Sequence, residues 1–131
     1  MEPNKVHKKL RLLDKSQICV LQAPDSFLSS ITSLPFAAEI GPSPEAYDAI
    51  LIFALNTTTL EELLTLSAGV GPKDVLFWAC YPKLSSALKS DINRDVIFHT
   101  AQRFGLRPVT QVAIDETWSA MRLRPHDRVG K

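Results

Sequence analysis

Three short, largely apolar runs constrain the fold of this chain more than any other feature. They cover residues 17–23 (QICVLQA), 47–55 (YDAILIFAL) and 74–82 (DVLFWACYP). A strand with one solvent-exposed face alternates apolar and polar residues, whereas a strand covered on both faces is apolar throughout. The runs therefore predict strands of a mainly parallel sheet that is covered on both faces.

Segments with helical spacing separate these runs. Residues 25–34 have apolar residues on one helical face and Asp25 as a candidate N-cap. Residues 59–71, with Asn56 or a threonine as the cap, and residues 92–105 show the same spacing. Strands that alternate with helices in this way indicate parallel strands joined by helical crossovers.

Two connections are too short for a helical crossover. The strand-like segments 107–115 and 119–125 meet at the turn 115–118 (DETW), so they must pair antiparallel. The short run 36–40 is followed by only a few residues, 41–47, so it is either an edge strand or not a strand. The predicted fold class is α/β, a Rossmann-like, mainly parallel sheet with helices on both faces and a C-terminal antiparallel hairpin.

Length and charge restrict the classes of protein. With 131 residues the chain is predicted to be one domain, residues 1–131, whose residues 1–16 form a basic N-terminal lead-in. A net charge of +1 and the lack of a long apolar run give no indication of a nucleic-acid partner or of a membrane span. The basic residues of the lead-in could touch a membrane or an acidic partner, but a solvated face is the preferred interpretation.

The cysteines and histidines give no sign of a metal site or a nucleophile. Cys19 and Cys80 lie in apolar runs and are interpreted as buried free thiols of a cytoplasmic protein, with a disulfide or a reactive Cys80 as alternatives. His7, His99 and His126 lack the spacing of metal ligands. Metal ligands are predicted to be absent and catalytic residues stay unknown.

A parallel sheet that ends in an antiparallel hairpin resembles the core of class I methyltransferases. In that family the first strand leads into a glycine-rich loop that lets the backbone approach S-adenosylmethionine. Residues 20–27 (VLQAPDSF) occupy this place without a glycine, and Pro24 has no N–H to donate. Glu39 could hold the ribose, but a single carboxylate is a weak signal. We therefore expect a methyltransferase-like fold without methyl transfer, and no cofactor.

Five segments also resemble a family of small, stand-alone bacterial proteins described as a domain of unknown function. They are residues 20–27 (VLQAPDSF), 47–53 (YDAILIF), 78–86 (WACYPKLSS), 90–96 (SDINRDV) and 113–124 (AIDETWSAMRLR). The combination of DETWSAMR with YPK and two following serines is its most specific part. The resemblance implies a bacterial, cytoplasmic protein with this fold, and it implies no activity.

Polar residues gather at the predicted carboxyl ends of the strands, where open parallel sheets bind ligands. The stretch 81–95 follows the third apolar run, and the turn 115–118 lies beside it if the hairpin neighbours that strand. Cations, hydroxyls and a helix N-terminus form the inventory of an anion site. The candidate ligand-binding residues are Lys83, Ser85, Ser86, Arg94, Asp115, Glu116 and Trp118.

Other interpretations of these residues stay open. Ser90 or Asp91 could simply cap the next helix, with Arg94 paired to Asp91 or Asp95 on the surface. The stretch could equally form a surface for a partner protein. Trp118 is expected more often to pack over the sheet end than to stack on a ligand.

Two functions follow from these patterns. The preferred one is a non-catalytic, cytoplasmic module that binds a partner protein or a small ligand at the carboxyl edge of the sheet. The alternative is an enzyme or nucleotide-binding protein that acts on a small anionic or phosphorylated ligand in a degenerate methyltransferase-like site.

Overall fold

A computed structural model describes residues 8–12, 14–15, 17–31, 34–41, 44–72 and 74–128. Its centre is a six-stranded sheet. In chain order the strands are β1 (Ile18–Leu21), β2 (Phe36–Ala37), β3 (Ala49–Phe53), β4 (Leu76–Pro82), β5 (Leu106–Ala113) and β6 (Trp118–Pro125). The helices are α1 (Asp25–Ser30), α2 (Thr57–Ser67) and α3 (Arg94–Gln102), with short 3-10 turns at Pro44–Ala46 and His126–Arg128.

The sheet has the predicted mixture of strand directions. Its strand order is β2-β1-β3-β4-β6-β5. The pairs among β2, β1, β3 and β4 are parallel, whereas β6 pairs antiparallel with both β4 and β5. The Rossmann-like α/β class with a C-terminal hairpin is therefore confirmed, and the run 36–40 contains a two-residue edge strand.

Helices cover both faces of the sheet. Leu60, Leu64 and Ile97, from α2 and α3, pack on one face, which we call the α3 face. Phe27 of α1 packs on the opposite face, the α1 face, together with Ile31 just after the helix. None of the helices in the described part of the chain is long and apolar enough to cross a membrane.

Asparagines cap the two longer helices. The Asn56 side chain accepts a hydrogen bond from the Thr59 N–H at 2.9 Å. Of the two predicted caps for this helix, Asn56 or a threonine, Asn56 is therefore confirmed. Asn93 caps α3, accepting from the Val96 N–H at 2.9 Å, so the predicted caps Ser90 and Asp91 are wrong. An Asn side chain followed by helical residues satisfies one of the free N–H groups of the first turn.

The first helix departs from the prediction at both ends. Its N-cap is Pro24, and Asp25 is the first helical residue with no capping hydrogen bond, so the predicted Asp25 cap is wrong. The helix ends at Ser30, earlier than the apolar spacing of residues 25–34 suggested. A carboxylate in the first turn still complements the helix dipole, which explains why aspartate suits this position.

The described part of the lead-in belongs to the core. Leu10 and Leu12 are fully buried on the α1 face. The indole Nε1 of Trp78 in β4 donates a hydrogen bond to the Leu10 carbonyl at 3.0 Å. The spacing of Val6, Leu10 and Leu13 in the sequence predicts one apolar helical face, but Val6 and Leu13 lie outside the described residues. The basic lead-in therefore contributes apolar packing between its charged residues.

Replacement of Leu10 by alanine should lower the free energy of unfolding by about 2–5 kcal/mol, because it removes buried methyl groups and leaves a cavity. The measurement is chemical denaturation followed by tryptophan fluorescence. Leu66→Ala is the matched control, since the Leu66 side chain on α2 is 61% exposed and its loss should change stability by only about 0.5 kcal/mol. Equal effects of the two substitutions would contradict a core role for the lead-in.

Both cysteines are free and buried, as predicted, but on opposite faces of the sheet. Cys19 belongs to the cluster on the α3 face and Cys80 to the cluster on the α1 face. Burial raises the pKa of Cys19 from 9.0 to about 11, and raises the pKa of Cys80 well above its usual range. A thiolate is the reactive form of cysteine, so both thiols are held in the inert form.

The native protein should therefore not react with a disulfide reagent at pH 8, whereas two thiols should react once denaturant is added. Because the unfolded thiols ionise at lower pH than the folded ones, their contribution to stability is complete below about pH 9 and declines as the pH rises towards 11. Spectrophotometric thiol counting and denaturation at several pH values measure both effects. Reaction of either native thiol at the rate of the unfolded chain would contradict the prediction.

Candidate functional site

A polar cleft of about 870 Å³ opens at the carboxyl end of β4, between the start of α3 and the β5–β6 hairpin. Among its described lining residues, the cations are Lys83 and Arg94 and the carboxylate is Asp95. The other lining residues are Tyr81, Leu84, Ser85, Asn93, Gln111, Ala113 and Ser119. The cleft thus joins residues that lie up to 38 positions apart, from Tyr81 to Ser119, because β6 pairs with β4.

Neutral groups orient the arginine of this cleft. The Arg94 Nε–H donates to the Gln111 Oε1 at 2.6 Å, and the Gln111 Nε2 donates to the Tyr81 hydroxyl at 3.1 Å. Burial raises the pKa of Tyr81, and the charge of Arg94 and a hydrogen bond to it offset part of this effect. Tyr81 therefore remains a protonated phenol at neutral pH and lines the cleft as a neutral hydrogen-bonding group.

Among the residues that the structure describes, no ion pair neutralises the positive charges of the cleft. Within the described ranges, carboxylates pair with Arg103 and Arg124, and neither Lys83 nor Arg94 takes part in such a pair. The predicted pairing of Arg94 with Asp91 or Asp95 is therefore wrong.

Asp91 has a different role from the one predicted for it. Its Oδ1 accepts a hydrogen bond from the Thr57 N–H at 2.7 Å, in the first turn of α2. Because that N–H has no partner within its own helix, the contact satisfies α2 from a neighbouring loop. The contact fixes the loop after β4 against the N-terminal end of α2, the helix that follows β3.

The loop after β4 separates the predicted serines. The Lys83 N–H donates to the Thr117 carbonyl at 2.8 Å, which ties the loop to the hairpin turn. Ser85 lines the cleft with Lys83 and Arg94. The Ser86 hydroxyl donates to the Lys83 carbonyl at 2.8 Å, and Ser86 lines a smaller cavity of about 350 Å³ with Lys89 instead.

The three predicted residues of the hairpin turn lie outside the cleft. Asp115 Oδ1 accepts from the N–H groups of Thr117 and Trp118 at 2.8 and 2.7 Å, which is turn chemistry. Glu116 is exposed. The ring of Trp118 is 6% exposed and packs edge-on against Phe53 at 5.2 Å between centroids, so it is not available for stacking on a ligand.

Sequence reasoning missed Tyr81, Asn93 and Gln111 as site residues. Tyr81 and Asn93 lay inside the predicted stretch, but nothing in the local sequence distinguished them from their neighbours. Gln111 lies in the exposed edge strand β5, opposite Met121, on the same face of the sheet as Tyr81. Strand alternation could have placed it on that face, whereas its distance from Tyr81 depends on β6 lying between β4 and β5.

The loop after β1 does not fit the glycine-loop mode of binding S-adenosylmethionine. Gln22 has a left-handed φ of 58°, Pro24 offers no N–H at the N-cap, and Asp25 puts a negative charge in the first turn of a six-residue helix. A side chain at each position keeps the backbone away from a ligand. In the sheet, β2 lies on one side of β1 and β3 lies on the other, so the topological switch point, where such folds bind ligands, is between β1 and β3. The polar cleft beside β4 lies away from this point.

Comparison with known proteins defines the fold class. No protein-family model matches the chain, and no curated protein sequence is significantly similar to it. Among solved structures, the mitomycin 7-O-methyltransferase MmcR superposes with a TM-score of 0.64 at 8% identity, over 95% of this chain and 54% of that one. A SAM-dependent methyltransferase from Aquifex aeolicus superposes at 0.59 and 9% identity, over 93% and 88% of the two chains. PigF with SAH superposes at 0.60 and 9% identity, over 94% and 64%.

These similarities establish a class I methyltransferase-like, Rossmann-like fold for the chain. At identities this low they establish the fold alone. The chain spans about half the length of MmcR and most of the length of the Aquifex aeolicus protein.

The Asp91 contact gives a direct test of how the loop after β4 is held. Asp91→Ala should lower the free energy of unfolding by about 1 kcal/mol, because the first turn of α2 loses a charge-assisted hydrogen bond. Asp95→Ala is the matched control, since Asp95 is exposed in the first turn of α3 and its loss should cost only a few tenths of that. Denaturation curves measure both, and equal losses would contradict the role given to Asp91.

Proposed function

We propose that this protein is a non-catalytic binding module that holds a small anionic ligand in the polar cleft beside β4. One observation carries the proposal: Lys83 and Arg94 face a common cleft, and neither is paired with a carboxylate among the described residues. Two cations that share a cleft repel each other, and an anion between them removes that cost. A carboxylate or phosphate group suits these donors best.

The arrangement around Arg94 supports recognition of a planar or tetrahedral oxyanion. The bond to Gln111 uses its Nε–H, which fixes the guanidinium plane from one side. Ser85 adds a hydroxyl, and the N-terminal end of α3 adds a partial positive charge. Asp95 also lines the cleft and repels anions, so the ligand would lie towards Lys83 and Ser85.

The groups in the cleft are suited to binding more than to methyl transfer. Tyr81 is held protonated, and the loop after β1 does not fit the cofactor that related folds use. The alternative function, an enzyme or nucleotide-binding protein acting on an anionic or phosphorylated ligand, would use the same cleft. The proposal also includes three expectations from the sequence. They are membership of the small bacterial family, a cytoplasmic location and a single domain over residues 1–131.

A partner protein is a second candidate, for one reason. The Leu84 side chain is 82% exposed, and Leu88 and Leu55 are also exposed at the same edge of the sheet. Exposed leucines at one edge of a sheet are typical of an interaction surface when they form a continuous patch. A partner with an acidic group would use the leucines and Lys83 together.

A thermal-shift screen against nucleotides, S-adenosylmethionine and phosphorylated or carboxylated metabolites tests the proposal. A ligand that binds the native state raises the unfolding temperature by mass action. Lys83→Met and Arg94→Met should each weaken the binding of a ligand held in the cleft by about tenfold or more, since each removes one charged hydrogen-bond donor. Lys89→Met is the control, because it makes the same change on the same loop outside the cleft.

The outcomes separate the candidate functions. A hit that is recovered unchanged after incubation supports the binding module, whereas its conversion to a product supports the enzyme. No shift with any of these compounds contradicts a small-ligand site and favours the partner protein. A shift with S-adenosylmethionine that survives Arg94→Met would contradict both the cleft and our conclusion about the loop after β1.

A further inference from the structure

Arginines gather on the α1 face of the hairpin, opposite to the cleft. Arg122 and Arg124 are two residues apart in β6, so their side chains lie on the same face of the sheet. Arg107 of β5 lies directly across from Arg124 in the antiparallel register. Like charges directly opposite each other in a sheet are destabilising, so this grouping has a cost.

The N-terminal segment adds a fourth arginine to this group. Arg11 lies between the buried Leu10 and Leu12 and has a left-handed φ of 60°, which turns the chain there. The bond from Trp78 to the Leu10 carbonyl fixes this segment over β4. Trp78 is itself the cross-strand neighbour of Arg122, so the segment brings Arg11 to Arg122.

The charge of this cluster is only partly neutralised. Arg124 forms a two-pronged pair with Asp74, with N–O distances of 2.9 and 2.6 Å. Arg122 has no such partner within the described ranges, and its buried Nε makes no hydrogen bond there. Burial lowers the pKa of Arg122, and the nearby charges of Arg11 and Arg124 lower it further, while Asp74 opposes them.

Arg122 thus combines two costs in one side chain. A buried N–H without a partner loses its hydrogen bond to water, and a cation near other cations gains repulsion. A bound oxyanion would relieve the repulsion, since it accepts from the accessible ends of several guanidinium groups and neutralises them.

We propose that Arg11, Arg107, Arg122 and Arg124 form a second binding site, for a phosphate group, on the α1 face of the β5–β6 hairpin. Arg122 is near both Arg11 and Arg124, so it would supply donors shared by the site. The site is distinct from the polar cleft, whose residues Arg94, Gln111 and Tyr81 lie on the α3 face. The phosphate could be free or carried by a small molecule.

The test compares unfolding temperatures in chloride and in low-millimolar inorganic phosphate at matched ionic strength. At these concentrations the general stabilising effect of phosphate by exclusion from the surface is small. The wild-type protein should show a rise that saturates with phosphate. In Arg122→Met the apparent affinity should fall by about tenfold or more, because a charged donor of the site is lost.

Two further variants keep the test specific. Arg103→Met makes the same chemical change at an arginine that is 62% exposed and paired with Glu61, and it should respond to phosphate as the wild type does. Arg94→Met, which disables the cleft, should also keep the response, so failure of this site and failure of the cleft are distinguishable. Arg11→Met should weaken phosphate binding even if Arg122→Met folds poorly, since Arg11 is exposed.

NMR titration locates the ion directly. Phosphate should shift the Arg122 Nε–Hε signal and the backbone amides of β6 near it, and glycerol 3-phosphate should shift the same signals. No saturable stabilisation of the wild type would overturn the proposal. A response that Arg122→Met retains in full, or shifts confined to the residues around Lys83 and Arg94, would overturn it as well.

Discussion

The insertion of β6 between β4 and β5 is the constraint on which the rest of this structure depends. Six residue pairs join β4 to β6, from Phe77 with Leu123 to Pro82 with Trp118. The register decides which β6 side chains face α3 and which face α1. On the α3 face it brings Gln111 of the edge strand β5 to Tyr81 near the end of β4. On the α1 face it sets Arg122 beside Trp78. Both proposed sites depend on this pairing.

The two faces of the hairpin handle positive charge in different ways. On the α3 face, Arg94 is held by the neutral Gln111 in an open cleft, where water can solvate the guanidinium nitrogens that Gln111 does not contact. On the α1 face, Arg122 has a buried Nε and cationic neighbours, so less of its charge is solvated. An anion would therefore relieve more repulsion at the second proposed site than in the cleft.

The errors of the sequence-based predictions share a physical cause. One interpretation had Ser90 or Asp91 capping the helix that follows, but Asp91 accepts from Thr57, 34 residues earlier. The same interpretation paired Arg94 with Asp91 or Asp95, but Arg94 bonds to Gln111, 17 residues later. Local rules favour partners a few residues away, because the chain brings those together in any fold. The actual partners became neighbours only when α2 and β5 reached the same edge of the sheet.

The sequence by itself determined the apolar strands, their coverage on both faces, the antiparallel end of the sheet and the burial of Cys19 and Cys80. These follow from residue type and periodicity, which act over a few residues at a time. Only the tertiary structure decided that Trp118 packs on Phe53 and that the lead-in lies across Trp78. It also decided that Arg122 lies among cations. Those contacts depend on strand order and register, and many registers satisfy the same local pattern until the whole sheet packs.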